Sequence, residues 1–241
     1  METNTISAII LSAGESQRMG TPKALCQWKG ITFLESVISY LRNAGIERIG
    51  IVLGAWELEI RAHGLPEGVE VWSNPNYKQG QLSSLQIGLK QQKSDILGTV
   101  VALVDHPVVL PETIRTLIRI FDNDPEKIVK PAYRKTGGHP ILIGRNWWAD
   151  IIFPPTSVGD LSAPRGNKRG VNTLRDILSQ HPECIISVEV NDPGILIDID
   201  TPEILSEHLP DIPPAIAGGN ITGVNCNFPP GTRGGIKGGE K

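Results

Sequence analysis

Ile6-Ser7-Ala8-Ile9-Ile10-Leu11-Ser12-Ala13-Gly14-Glu15-Ser16-Gln17-Arg18-Met19-Gly20-Thr21-Pro22-Lys23-Ala24-Leu25 reads as a strand, Ser7–Leu11, that runs into a loop of small residues. Ile9-Ile10-Leu11 lacks the alternation of a half-exposed strand, so both of its faces are expected to be covered. Beyond it, backbone N–H groups at Leu11, Ser12, Ala13 and Gly14 can turn toward a phosphate chain, and Arg18 and Lys23 supply positive charge. The loop is neither a Walker loop, because Gly20 is followed by Thr21-Pro22, nor a GxGxxG dinucleotide fingerprint. A surface turn with two solvated cations is the competing reading; the joint pattern after a buried strand favours an anion cradle.

Outward from this loop, short β-branched runs alternate with segments of helical period. Strands are expected at Arg48–Leu53, Val69–Trp72, Thr99–Val104, Lys127–Pro131, Pro140–Ile143, Ile185–Val190 and Ile195–Ile199. Helices are expected at Phe33–Asn43, Ala55–His63, Gln81–Gln92, Pro111–Phe121 and Val171–Ser179. That alternation argues an α/β fold, a doubly wound, mostly parallel sheet covered on both faces. Ligands in such sheets bind beyond the carboxyl ends of the strands, so the loops at Ser12 and Asp105 should open onto one site. Residues 1–209 fit a single domain. From Pro210 to Lys241, Gly218-Gly219, Pro229-Pro230 and Gly234-Gly235 with few aliphatics read as a flexible tail.

Charge narrows the partners. A formal net charge of −3 and no Lys/Arg run give no field for wrapping a nucleic acid, so a small ligand is expected. Cys26, Cys184 and Cys226 stand far apart without CxxC spacing, which supports neither a disulfide framework nor a zinc site. The start Met1-Glu2-Thr3-Asn4 is not cationic and the apolar run Ile6–Leu11 is too short for a signal or a span, so no membrane role and a cytosolic location are expected.

Five segments then point in one direction: Leu11–Leu25; Asn74-Pro75-Asn76-Tyr77-Lys78-Gln79-Gly80-Gln81-Leu82-Ser83-Ser84-Leu85; Asp105-His106-Pro107; Gly138-His139-Pro140-Ile141-Leu142; and Leu196-Ile197-Asp198-Ile199-Asp200-Thr201-Pro202-Glu203. In this order they resemble the MobA-like nucleotidyltransferases, most of all the molybdenum cofactor cytidylyltransferase kind. The resemblance implies a Rossmann-like sheet of the nucleotide-diphospho-sugar transferase type. It also implies transfer of a nucleoside monophosphate from a triphosphate to a phosphorylated acceptor such as molybdopterin cofactor, with Mg²⁺ as the ion and a molybdenum hydroxylase as a protein partner. Cytosine-using relatives read Leu-Ala-Ala-Gly at the first turn and guanine-using ones Leu-Ala-Gly-Gly. Leu11-Ser12-Ala13-Gly14 therefore favours CTP, with Ser12 a departure.

Asp105 ends a hydrophobic strand, where a carboxylate has no packing use. The resemblance makes it a Mg²⁺ ligand, and Mg²⁺ prefers one or two carboxylates plus phosphate oxygens; a turn-forming Asp before Pro107 is the alternative. Asp198 and Asp200, two residues apart, would share one side of a strand, and the resemblance makes them the second half of the metal site. A cap for a short helix beginning at Pro202 competes with that role. Gly80, Ser83 and Ser84, at a helix start, are expected to meet base and ribose. His106, where Asp-Met-Pro is commoner, and His139 are candidates for the acceptor side, with an ordinary turn histidine the alternative. Arg165-Gly166-Asn167-Lys168-Arg169-Gly170 stands where many relatives carry Gly-Asp, although Gly159-Asp160 lies just upstream. A basic loop there could clamp the phosphate of a different acceptor. Catalysis would then be positioning and charge neutralisation by Arg18, Lys23 and Asp105, with no covalent intermediate. A guanylyltransferase, a sugar-phosphate or isoprenoid-precursor nucleotidyltransferase, and a non-catalytic cofactor chaperone are the alternatives. An oxidoreductase is disfavoured by the missing dinucleotide fingerprint.

Overall fold

A computed structural model describes residues 5–154 and 173–207. The tail from Pro210, Gly159-Asp160, the basic stretch Arg165–Gly170 and Val171 at the start of the last expected helix lie outside the described residues.

In chain order the elements are β1 (Ile6–Ser12), β2 (Gln27–Trp28), β3 (Ile31–Thr32), α1 (Phe33–Asn43), β4 (Arg48–Leu53), α2 (Glu57–His63), β5 (Val69–Ser73), α3 (Gln81–Lys90), β6 (Gly98–Leu103), α4 (Pro111–Phe121), β7 (Ile128–Tyr133), β8 (Thr136–Gly137), β9 (Ile141–Gly144), α5 (Trp148–Ile152), α6 (Leu174–Leu178), β10 (Ile185–Glu189) and α7 (Pro202–Glu207). The main sheet runs β10-β7-β9-β6-β1-β4-β5, with β8 paired to β7 off that path. Its centre is parallel, Ile9 lying opposite Gly50 on one side and Val101 on the other. β9 is antiparallel to both β6 and β7, and the short β8 is antiparallel to β7. The expected doubly wound, mostly parallel sheet is therefore the fold found.

All seven residues of β1 are buried, and their alternation sorts the core into two layers. Ala8 and Ile10 pack with Phe33, Leu34 and Val37 of α1 and with Ile114 and Leu117 of α4. Ile9 and Leu11 face the opposite layer, with Leu85 and Leu89 of α3, Ile151 of α5 and Ile177 of α6. Period two in the strand meets period 3.6 in the helices on both faces, which fixes β1 at the centre and aims its carboxyl end at one edge of the molecule.

Local chemistry sets the helix starts. Thr32 caps α1: its hydroxyl accepts from the Glu35 N–H at 3.1 Å, while the Glu35 carboxylate accepts from the Thr32 N–H at 2.7 Å. Asp192, only 2 % exposed, accepts from the Leu110 N–H at 2.9 Å and the Thr113 hydroxyl at 2.6 Å, satisfying donors at the start of α4.

One expected strand is not there. Pro193–Leu196 forms a 3₁₀ turn instead of the first part of a strand Ile195–Ile199, and Ile197 to Asp200 pair in no sheet. The cause is local: Pro193 offers no N–H, and the second Asp192 oxygen accepts from the Gly194 N–H at 2.9 Å, which closes the turn. The alternation that would have placed Asp198 and Asp200 on one face of a strand is thus absent, and their meeting has another origin. α2 begins at Glu57 and α3 ends at Lys90, two residues inside their expected bounds.

Candidate active site

The loop after β1 and the loop after β6 open side by side, because the Val104 N–H donates to the Leu11 carbonyl at 3.2 Å and continues the β1–β6 ladder past its end. Between them and the start of α3 lies a cavity of about 940 Å³. Leu11, Ser12, Ala13, Gly14, Arg18 and Lys23 line it from the first loop, Gly80 and Ser84 from the α3 start, and Asp105 and Asp200 from the far side. Ser83, Asp198, His106 and His139 do not line it.

Lys23 stands at the centre of the charged cluster. Its side chain is 13 % exposed, and its ammonium lies 2.7 Å from Asp105 and 3.8 Å from Asp198 and also pairs with Asp200, which Arg18 contacts in turn. Burial pulls the Lys23 pKa down, but the combined attraction of Asp105, Asp200 and Asp198 outweighs it and the net shift is upward. Asp198 goes the other way from an ordinary carboxylate. Desolvation, then the negative charge of Asp105, pushes it up to about 6. Asp200 suffers desolvation too, yet its bonds to Lys23 and Arg18 hold it below the usual range.

The acidic segment reaches Asp105 through its backbone. The Ile199 N–H donates to the Asp105 carbonyl at 2.9 Å, so Asp198 and Asp200 flank the point of attachment. Carboxylate oxygens of Asp105 and Asp198 and a ring nitrogen of His106 lie within 4.8 Å of one another, a donor set that suits a divalent cation. His139 sits beside His106, their ring centroids 5.5 Å apart. Burial lowers both imidazole pKa values, that of His139 to about 4, so both are neutral near pH 7.

Several residues here escaped sequence reasoning. Asn74, 1 % exposed, donates through its amide to the Ser83 and Ser84 hydroxyls at 2.9 Å each, and its carbonyl oxygen accepts from the Asn76 N–H. It ties the β5 end to the α3 start and orients both serines. Trp56 and Tyr77 put aromatic surface on the cavity wall, and the Trp56 indole N–H donates to the Glu15 carbonyl at 2.8 Å. They follow the carboxyl ends of β4 and β5, the two strands on one side of β1, the position where a doubly wound sheet collects ligand-binding residues. That rule could have singled them out.

A central parallel sheet whose first loop brings cations to a cavity, opposite the carboxylates of Asp105 and Asp200, is the arrangement expected of a nucleotidyltransferase. The chain belongs to the MobA-like NTP transferase family: the profile of the MobA-like NTP transferase domain matches residues 8–181. Among individual relatives, the bifunctional IPC transferase and DIPP synthase of Rubrobacter xylanophilus is 31 % identical over 159 residues, 58 % of this chain but only 35 % of that longer protein. The nicotine blue oxidoreductase of Paenarthrobacter nicotinovorans is 27 % identical, covering 82 % of this chain and 93 % of its own length. The molybdenum cofactor cytidylyltransferase of Escherichia coli K12 is 26 % identical, covering 83 % and 93 %. Of solved structures, Rv0371c from Mycobacterium tuberculosis superposes with a TM-score of 0.71 at 24 % identity over 87 % of this chain and 99 % of that one. A manganese complex of Rv0371c gives 0.63 at 22 % over 87 % and 100 %. Both confirm the fold.

Proposed function

We propose that the chain transfers a nucleoside monophosphate, CMP in preference to GMP, from a triphosphate to a phosphorylated small molecule of the molybdopterin cofactor kind. The observation that carries this reading is a single ion network: Lys23, from the first loop, contacts Asp105 and Asp200, from two other segments, on the wall of one cavity. A phosphate oxygen of the acceptor attacks the α-phosphorus, the bond to the bridging oxygen breaks, and pyrophosphate leaves with the electron pair. Such a displacement needs alignment and charge neutralisation rather than a protein nucleophile.

Arg18 and Lys23 bind the phosphates as cations, exchanging carboxylate partners for phosphate oxygens. The N–H groups from Leu11 to Gly14 face the same polyanion. Gly80 and the Asn74-oriented hydroxyl of Ser84 meet ribose and base, Ser83 bracing this turn through its bond to the Gly80 carbonyl at 2.7 Å, and Trp56 and Tyr77 offer aromatic surface to the base. Asp105, with Asp198 and Asp200, holds the divalent cation, Mg²⁺ in this reading, and that ion supplies neutralisation of phosphate charge. His139 stands on the acceptor side, its ring 5.5 Å from that of His106. A molybdenum hydroxylase as receiving partner and a cytosolic location belong to the same reading. An oxidoreductase role, which the name of the Paenarthrobacter relative raises, finds no dinucleotide fingerprint in the Leu11–Leu25 loop.

The test is pyrophosphate release from each of the four nucleoside triphosphates with Mg²⁺, with and without molybdopterin cofactor, with nicotinamide oxidation followed in parallel. Release from CTP that depends on the acceptor is expected. No release from any triphosphate would contradict the proposal.

A further inference from the structure

His106 has a use that neither the fold nor the ion network accounts for. It is 6 % exposed, and its Nδ1 has no hydrogen-bond partner although it is buried. An imidazole stripped of water and left with a free ring nitrogen costs stability unless something occupies that nitrogen. Beside it lie Asp105 and Asp198, whose carboxylate oxygens and a His106 ring nitrogen fall within 4.8 Å of one another. Lys23 already supplies a cation to these carboxylates, at 2.7 and 3.8 Å, so the cluster is built to surround positive charge.

We propose that His106 is a nitrogen ligand of the divalent cation, so that two carboxylates and one imidazole form a mixed N/O site that takes Mn²⁺ more tightly than Mg²⁺. Mg²⁺ is a hard ion that demands near-ideal octahedral surroundings and dehydrates reluctantly, whereas Mn²⁺, although it also takes carboxylates, is a transition ion that gives up water for an imidazole nitrogen more readily. The inference rests on the reading of Asp105 and Asp198 as metal ligands, and adds the nitrogen and the preference it confers. When the ion binds, the Lys23 ammonium gives up its place between the carboxylates and is free to meet phosphate. Metal loading and triphosphate binding are thereby coupled.

The experiment uses the full chain, stripped with EDTA and loaded with Mn²⁺, first alone and then with inorganic tripolyphosphate, which carries phosphates without base nitrogens. Electron spin echo modulation reports nitrogen bonded to Mn²⁺. Imidazole ¹⁴N modulation is expected in the wild-type chain and in His139→Gln, and is expected to vanish in His106→Gln and His106→Leu. Titration calorimetry should show the Mn²⁺ over Mg²⁺ preference falling about tenfold in His106→Gln. Absence of ¹⁴N modulation from the wild-type chain under both conditions overturns the proposal, and that spectrum needs no variant to fold. Modulation that persists in His106→Gln, or disappears only in His139→Gln, overturns it as well. Nitrogen coupling without nucleotidyl transfer would leave the ligand standing and remove the functional reading; transfer without nitrogen coupling would do the reverse.

Discussion

Lys23 carries the most contacts of any charged side chain at the site, with three carboxylates around one ammonium. In Lys23→Ala the triphosphate loses a charged partner, a change of about 1.5–3 kcal/mol for such a bond. Nucleotide binding and transfer should therefore weaken together by roughly ten- to a hundredfold, measured as paired changes in KM and kcat; unchanged values in both would reduce the loop to a turn. Asp105→Asn keeps the shape of the side chain and removes a ligand charge. It should fold normally and lose several kcal/mol of transition-state stabilisation at ordinary Mg²⁺, on the order of a thousandfold or more in rate. Full turnover in that variant would end the metal assignment. The sequence made Arg18, Lys23 and Asp105 legible because each interrupts a pattern that packing alone would not choose. Asn74 was not legible in this way: a buried amide whose partners are hydroxyls nine and ten residues on looks, in sequence, like any turn residue.

Side-chain hydrogen bonds hold the starts of α1 and α4. Thr32→Ala removes one half of a reciprocal cap and should cost about 1 kcal/mol, read as a shift of the urea midpoint without a change in slope. The Thr32 N–H and hydroxyl hold the Glu35 carboxyl below its ordinary value. Because the folded pKa is depressed, the stabilisation is fully present above the unfolded value of 4.5 and is lost as pH falls through the folded one. Glu35→Gln should accordingly flatten the acid side of the stability profile; an unaltered profile would contradict the cap. Asp192→Ala leaves the Leu110 and Gly194 N–H groups and the Thr113 hydroxyl without their acceptor. A loss of about 2–3 kcal/mol, or roughly 5–10 °C in Tm, is expected, and a variant as stable as wild type would show that the carboxylate is incidental. Periodicity found the helices and parallel strands because burial on a sheet face repeats along the chain. It failed at Ile195–Ile199, where Pro193 and a side-chain bond from Asp192 override an apolar alternation that extends for only a few residues.

At the scale of the molecule, one strand organises both packing and chemistry: β1 separates the two core layers, and its end delivers the first loop to the cavity. The doubly wound sheet was legible because unalternating β-branched runs separated by helical segments have few other solutions. The meeting of Asp198 and Asp200 with Asp105 was implied by the resemblance and by the need of paired carboxylates for a shared cation, and the backbone bond from Ile199 that brings it about has no signature in sequence. The first loop packs closely against the β4 end: a Cβ added at Gly54 would lie 2.9 Å from the Ala13 methyl. In the proposed reading, exclusion of the larger purine by the Ala13 methyl would amount to about 1–3 kcal/mol, ten- to two-hundredfold. Nucleotidyl transfer is followed through the α-phosphate itself, with α-labelled CTP or GTP incubated with the chain, Mg²⁺ and molybdopterin cofactor. Label is expected to pass from CTP into a cytidylated acceptor with one pyrophosphate per transfer, and far less from GTP; label that stays in the triphosphate, or moves only from GTP, would overturn the proposed function.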